Sequence, residues 1–194
     1  MPVLQVIVAS TRPTRVGRSI ADWFVTQACM HAGFEVRITD LAQINLPLLN
    51  EPNHPSLRQY QHQHTKDWSA SVDAADAFVL VMPEYNYSFN AALKNAIDYL
   101  YFEWQYKPVG FVSYGNTSGG LRAVQMIKQV VTTLKMFPLT EAVTIQFVGQ
   151  HVNGSGHFDG NDAMAGAAAT MLDELVVMSD ALAPVRAKQE AIEG

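Results

Sequence analysis

The chain begins with the apolar segment Val3-Leu4-Gln5-Val6-Ile7-Val8-Ala9, which runs directly into the polar segment Ser10-Thr11-Arg12-Pro13-Thr14-Arg15-Val16-Gly17-Arg18-Ser19. The first segment is typical of a buried strand, and helical amphipathic spacing begins at the end of the second. The first N–H groups of a helix lack backbone partners, and the helix dipole favours an anion beside them. This strand, loop and helix start therefore form a candidate phosphate site.

The loop over residues 10–19 offers hydroxyls and guanidiniums where other nucleotide loops offer glycines. It contains neither the glycine fingerprint of dinucleotide-binding loops nor the Gly-Lys-Ser/Thr ending of triphosphate loops. A terminal monoester phosphate is a compact dianion, which hydroxyls and a forked guanidinium suit well. The alternative is a capped helix start with solvated arginines.

Length and composition indicate one globular domain over residues 1–194, with 48% hydrophobic residues and a net charge of −5. This charge argues against nucleic acid and against an anionic membrane surface as partners. We expect a cytoplasmic protein, because the first residues show no charged leader and no long apolar span. The lone cysteine, Cys29, excludes an internal disulfide and a cysteine zinc cluster, and we expect it to be buried in a helix. We expect no metal.

Five apolar runs predict strands over residues 3–9, 34–39, 77–82, 109–114 and 142–148. Helical stripes fall between or after them: Val16, Ile20, Trp23, Phe24 and Ala28; Leu93, Ala96, Ile97 and Leu100; Leu121, Val124, Ile127, Val131 and Leu134; Met164, Ala168, Met171 and Leu175. This alternation predicts an α/β fold: a five-stranded parallel sheet in a doubly wound, three-layer, flavodoxin-like arrangement. The ligand of such a sheet lies outside the carboxyl ends of the strands, where the winding reverses.

Two segments lie outside this regular pattern. Residues 42–76 are longer than a crossover requires and are predicted to contain a helix over residues 57–71; an excursion of this length typically contacts another subunit or covers a site. The charged tail from Pro184 is predicted to fray.

The loops that leave the first, third and fourth strands are expected to lie side by side. The second of them is Pro83-Glu84-Tyr85-Asn86-Tyr87-Ser88-Phe89-Asn90, and the third is Ser113-Tyr114-Gly115-Asn116-Thr117-Ser118-Gly119-Gly120. Together they offer aromatic walls, backbone N–H groups freed by glycine, and fixed amides, which a flat, mostly apolar ligand with polar edges requires. Taken singly, a surface turn with exposed tyrosines is an alternative explanation of the second, and a helix start without a ligand is one of the third.

The segment over residues 83–86, followed by Ser88 and by Leu93-Lys94-Asn95-Ala96-Ile97-Asp98, resembles the signature of the NAD(P)H-dependent FMN reductases. This flavodoxin-like family includes bacterial quinone, chromate and azo-dye reductases. Ser10-Thr11-Arg12 and Ser118-Gly119-Gly120 are similar to its other motifs, in the same order. The resemblance covers about residues 3–148.

The resemblance implies an enzyme that binds FMN and uses NADPH or NADH as co-substrate. The residues implied to hold the phosphate are Ser10, Arg12, Arg15, Val16 and Gly17. Those implied to pass along the isoalloxazine edge, mainly through backbone groups, are Pro83, Glu84, Tyr85, Asn86 and Tyr87. Those implied to close the other side are Ser113, Gly115, Ser118 and Gly119.

Two departures from the family pattern affect these expectations. Many members carry a serine and an asparagine near Arg15 and Gly17, so the phosphate contacts are expected to differ there. Asn90 stands where a proline is usual, which we expect to loosen the turn without affecting the flavin edge.

The cofactor carries the chemistry, so no side-chain acid or base is required and we assign no catalytic residue. An open flavin face is expected to receive the nicotinamide and the acceptor in turn. The acceptor is a small molecule such as a quinone, a free flavin, an azo compound or a metal oxyanion, and neither its identity nor the preference for NADPH over NADH can be read from the loops.

Tyr99, Tyr101, Phe102, Trp104 and Tyr106 form a dense aromatic segment. Such density near a surface is typical of an interface, and family members are dimers or tetramers, so we expect a homodimer or homotetramer.

Two other function classes fit the same fold. One is a flavodoxin-type electron carrier or flavin-binding module without turnover, which would be more acidic and would match less well in the second and third loops. The other is a phospho-acceptor signalling domain, which requires paired acidic residues at the end of the first strand; residues 9–11 contain none.

Overall fold

A computed structural model describes residues 1–193, and for residues 190, 192 and 193 only the backbone. The strands are β1 (Val3–Val8), β2 (Glu35–Asp40), β3 (Ala77–Pro83), β4 (Pro108–Tyr114) and β5 (Phe137–Ile145). The helices are α1 (Gly17–His31), α2 (Leu41–Ile44), α3 (Gln63–Asp73), α4 (Ala91–Asp98), α5 (Leu121–Thr133) and α6 (Asp162–Glu193). Short 3₁₀ turns cover Pro55–Leu57, Phe102–Trp104 and Val148–His151.

The five strands form one parallel sheet in the order β2-β1-β3-β4-β5. The predicted doubly wound, flavodoxin-like fold is confirmed. The winding reverses between β1 and β3, because the chain moves from β1 to the edge strand β2 and then crosses back over β1 to form β3 on its other side. The loops after β1, β3 and β4 therefore meet at the carboxyl edge of the sheet.

Each face of the sheet carries its own core. On one face α1 and α6 pack over alternate residues of β1, β3 and β4, with Phe24 and Leu172 fully buried. On the other face α3, α4 and α5 cover the remaining residues of the same strands. All seven residues of β3 and of β4 are buried, which explains why their apolar runs were readable from the sequence.

The predicted boundaries are wrong where a segment is not covered on both faces. Strand β5 begins at Phe137, five residues before the prediction, because this edge strand alternates buried and exposed residues and shows no continuous apolar run. The helix predicted over residues 57–71 begins only at Gln63. Leu121 is half exposed although its spacing placed it in the core stripe, and Cys29, although helical, is exposed.

The aromatic segment after α4 is partly core. Tyr99 and Trp104 are buried, and Trp104 packs against Trp68 of α3 and Phe78 of β3 at ring-centroid distances of 5.9 and 5.0 Å. Tyr99 and Trp104 therefore belong to the core between the helices and the sheet, and they are not available for an interface between subunits.

The tail from Pro184 does not fray within the described residues. Helix α6 continues through Pro184 to Glu193. Arg186 holds it against the sheet layer: its guanidinium contacts Asp76 Oδ1 at 2.7 Å and the Tyr106 carbonyl at 3.2 Å. Gly194 lies outside the described residues. Among the helices of residues 1–193, none combines the length and hydropathy needed to cross a bilayer.

Candidate cofactor site

The loop after β1 brings an uncapped helix start to the edge of the sheet. Ser10 is buried directly after β1, and the Arg15 amide donates to the Arg12 carbonyl at 3.2 Å, which closes a turn. Val16 is the N-cap of α1 and makes no side-chain capping bond. The first N–H groups of α1 therefore have no acceptor from a cap and are available to an anion.

Arg15 and Arg12 differ in what their guanidiniums contact. Arg15 Nη2 lies 2.6 Å from Oδ2 of Asp40, a carboxylate at the end of β2 whose side chain is only 1% exposed. Arg18 Nη1 approaches the same oxygen at 3.8 Å. Arg12 is exposed and, among the described residues, has no ion pair. Arg12 is thus the cation of this loop that is free to meet a ligand.

The loop after β3 folds back as a tight hairpin turn. Tyr85 and Ser88 exchange backbone hydrogen bonds of 2.8 and 3.0 Å, and the two residues between them, Asn86 and Tyr87, have φ values of 48° and 75°. Two consecutive positive φ values are typical of a type I′ turn, which matches the twist of the flanking strands. Tyr87 lies at the exposed tip, where the guanidinium of Arg122 stacks 4.9 Å from its ring centroid.

Glu84 links the second loop to the third. Its carboxylate accepts from Ser118 Oγ at 2.7 Å, from the Arg122 amide at 3.1 Å and from Arg122 Nη1 at 3.0 Å. Burial favours the neutral acid, but the hydrogen bonds from Ser118 and Arg122 outweigh it and hold the pKa of Glu84 below its usual range. Because this carboxylate caps α5, it is not free to bind a ligand.

Asn90 corrects an expectation about the second loop. Its side chain is buried and donates from Nδ2 to the Ala9 carbonyl at 2.7 Å. The loop is therefore tied to the end of β1 and not loosened, because the amide supplies a bond that a proline at this position cannot make.

The third loop packs directly on the end of its own strand. Ser113, fully buried, donates from Oγ to the Gly119 carbonyl at 2.9 Å. A Cβ on Gly120, whose φ is 87°, would lie 2.7 Å from the Tyr114 backbone nitrogen. Glycine is required there because both the conformation and the space exclude a side chain.

One cavity of 290 Å³ draws on all three loops. Eight predicted residues line it: Ser10, Arg12, Arg15, Val16, Pro83, Glu84, Tyr85 and Gly115. The other six do not line it: they are Gly17 at the start of α1, Asn86 and Tyr87 at the hairpin tip, Ser113 in β4, and Ser118 and Gly119 in the third loop. Four lining residues were not predicted: Thr14, Tyr114, Asn116 and Val148. The first three stand beside predicted residues in the quoted loops. Val148 was predicted as the end of the fifth strand but lies in the turn after it, because β5 ends at Ile145.

A larger cavity of 410 Å³ lies elsewhere, between β2, α2 and α3. Its lining includes Asp40, Asp67 and His64 but neither lysine nor arginine. It therefore offers no fixed positive charge to a phosphate, and the smaller cavity is the better candidate for a phosphorylated ligand.

Comparison with known proteins decides the family. The model of the NADPH-dependent FMN reductases matches residues 2–150. This chain belongs to that family. An NAD(P)H-dependent FMN reductase of Schizosaccharomyces pombe is 38% identical over 148 residues, which cover 74% of each chain. An NADPH azoreductase of a Bacillus species is 33% identical over 125 residues, or 62% of this chain and 65% of its own. FerB of Paracoccus denitrificans, a flavoenzyme NAD(P)H:(acceptor) oxidoreductase, shares the fold with a TM-score of 0.73, 19% identity and coverage of 93% and 98%.

As a member of this family the chain is an FMN-dependent NAD(P)H oxidoreductase, which confirms the enzyme class and the cofactor expected from the sequence. The electron-carrier alternative is set aside, because the match is to the reductases over most of the chain.

Proposed function

We propose that the 290 Å³ cavity is the FMN site, with the phosphate at residues 10–17 and the ring system along the loops after β3 and β4. The proposal is carried by one observation: a single cavity is lined at one end by Ser10, Arg12 and Val16 and at the other by Pro83, Tyr85 and Gly115. The first end has the donors of an anion site and the second has the apolar and backbone surface that a flat ring requires.

The residues present fit FMN in chemical type. A dianion at the uncapped start of α1 would meet free N–H groups, the Ser10 hydroxyl and the unpaired guanidinium of Arg12. Arg15 would act through its backbone, since its guanidinium is held by Asp40. Glu84, whose carboxylate caps α5, would shape the ring pocket by holding the second and third loops together.

When bound, FMN takes a hydride from a nicotinamide and passes electrons to a second substrate. The chain's part is to bind the cofactor, orient it, and leave one face open. We propose that NADPH or NADH and the acceptor use that face in turn, and that acceptors are small molecules such as quinones, free flavins, azo compounds or metal oxyanions; the Bacillus relative named as an azoreductase supports this class. Steady-state kinetics with varied NADPH and quinone should give parallel double-reciprocal lines, and intersecting lines would show that both substrates bind at once.

The phosphate site is tested by titrating the apo protein with FMN and with riboflavin. FMN should bind at least tenfold more tightly, and Arg12→Ala should weaken FMN by about tenfold while changing riboflavin little, because only FMN carries the charge that Arg12 meets. The matched control is Arg37→Ala, an exposed arginine of β2 that pairs with Glu35. Equal binding of the two flavins by the wild-type protein would refute the site.

We also propose that the whole chain acts as one FMN-binding domain that assembles into a homodimer or homotetramer in the cytoplasm. Exposed apolar side chains on the excursion between β2 and β3 support assembly, since Leu48 is 82% and Leu57 56% exposed. Light scattering at micromolar concentration tests this, and a monomer mass would exclude it.

A further inference from the structure

The last residue of β4, Tyr114, carries a buried polar group that the fold does not use. Tyr114 is 5% exposed, and its hydroxyl lies near Ser10 but forms no hydrogen bond of good geometry among the described residues. Ser10 Oγ lies close by, but it meets hydrogen-bond geometry with the Tyr85 hydroxyl, at 3.3 Å. A phenylalanine would fill the same space without burying an unpaired hydroxyl.

The Tyr114 hydroxyl lies beside Gly17, the first residue of α1. A Cβ on Gly17 would collide with Tyr114 Oη and would come within 3.5 Å of Ser10 Cβ. Gly17 therefore leaves the space that the tyrosine hydroxyl occupies. Tyr114 also lines the 290 Å³ cavity together with Ser10, Arg12 and Val16.

The charges around this hydroxyl are those of an anion site. Arg12 and Arg15 line the same cavity, and so does Val16, the N-cap of α1, which makes no side-chain capping bond. Burial raises the pKa of the Tyr114 phenol and outweighs the lowering effects of nearby Ser10, Arg15 and Arg12, so the phenol remains protonated and donates toward an anion. A donor that is buried, unpaired and held beside a helix start is paired once a phosphate oxygen arrives.

We propose that Tyr114 Oη donates a hydrogen bond to the terminal phosphate of FMN and so helps the enzyme to select phosphorylated over unphosphorylated flavin. The inference rests on the proposed FMN site. It adds to the phosphate end of that site a residue from β4, whose loop was expected to contact only the ring system. Arg12 attracts the dianion from an exposed position, whereas Tyr114 contacts it from a buried one, where a hydrogen bond to a charged group is strongest.

The test is Tyr114→Phe, which keeps the ring and removes only the hydroxyl. The Kd for FMN, measured by quenching of flavin fluorescence, should rise by about ten- to a hundredfold, and that for riboflavin should stay within about twofold. The Tm of the apo protein should stay the same or rise, because an unpaired buried hydroxyl is removed, and the increase in Tm on adding FMN should shrink. The matched control is Tyr99→Phe, since Tyr99 is a buried tyrosine whose hydroxyl donates to the Pro47 carbonyl. It should lower the apo Tm and leave the preference for FMN intact.

A second variant tests the same contact from the other side. Gly17→Ala should weaken FMN in the wild-type background by displacing the hydroxyl, and should cost less affinity in the Tyr114→Phe background, where no hydroxyl is displaced.

Three results would overturn the inference. The first is an unchanged FMN affinity in Tyr114→Phe, and the second is an equal loss for FMN and riboflavin. The third is a fall in apo Tm like that of Tyr99→Phe, which would mean that the hydroxyl is bonded within the protein. If the wild-type protein itself binds both flavins equally, the phosphate site fails and this inference fails with it.

Discussion

At the scale of single residues, Glu84 does more than its place in a motif indicates. The loop sequence suggested a residue along the ring edge, yet its carboxylate holds the second and third loops together through Ser118 and Arg122. The side chain of this motif residue is thus used within the protein, where it fixes one loop to the other.

Glu84→Gln should lower the free energy of unfolding at pH 7 by about 1–2 kcal/mol, because it weakens hydrogen bonds to a charged acceptor. The pKa of Glu84 in the folded protein lies below the value of about 4.3 of a free glutamate, so its contribution is present above that pH and is lost as pH falls through the folded pKa. The difference between variant and wild type should therefore shrink below pH 4.5 in urea titrations. Glu35→Gln, in an exposed pair with Arg37, is the control and should change little at any pH. A constant difference down to pH 3 would contradict this account.

At the scale of elements, α4 pins the long excursion between β2 and β3. Asn95 accepts from the Leu49 amide at 2.9 Å and donates to the Pro47 carbonyl at 2.7 Å, and Tyr99, one turn later, donates to the same carbonyl at 3.1 Å. The asparagine of the Leu-Lys-Asn signature therefore holds a loop across its own helix.

Asn95→Ala should raise the hydrogen-exchange rate of the Leu49 amide by about tenfold or more, because that N–H loses its acceptor. The adjacent Lys94→Ala is the matched control, since the ammonium of Lys94 pairs with Asp98 on the same helix and not with the excursion over the described residues. Deuterium uptake of the peptide over residues 45–53, followed by mass spectrometry, measures the exchange in both variants. Unchanged protection of Leu49 in Asn95→Ala would show that Tyr99 alone suffices to hold the loop.

At the scale of the whole molecule, a buried lysine couples stability to pH. Lys107 precedes β4 and donates from Nζ to the carbonyls of Val72 and Asp73 at 2.9 and 3.0 Å, which joins the end of α3 to the sheet. Burial lowers the pKa of Lys107 from 10.5 to about 8. Between these two values the unfolded chain binds more protons than the folded one, so the free energy of unfolding rises with pH across this window.

The expected size of this effect follows from the two pKa values. From pH 7.5 to pH 10 the wild-type protein should gain about 2 kcal/mol of unfolding free energy relative to Lys107→Met, which has no such group to titrate. Urea unfolding at the two pH values measures it, and the subtraction removes the titration of other residues. Parallel behaviour of the two proteins would mean that Lys107 keeps an ordinary pKa when folded.

The sequence by itself determined the elements that are covered on both sides and the loops between them. The fully buried β3 and β4 appear as continuous apolar runs, and the predicted doubly wound fold was enough to place the motif residues around Ser10, Pro83 and Gly115 at one sheet edge. Edge strand β5 was misplaced at its start, because an alternating pattern is only weakly distinct from a loop.

Only the tertiary structure decided how the side chains of those loops are used. Arg15 pairs with Asp40, Glu84 pairs with Arg122, and the Asn90 side chain donates to the Ala9 carbonyl. Each partner lies between 25 and 81 residues away in the chain. Tyr114 is left as a buried hydroxyl beside α1 for the same reason. Local patterns follow from the spacing of apolar residues along one segment, whereas the pairing of a polar group depends on which distant groups the fold brings within 3 Å, and no local pattern records that.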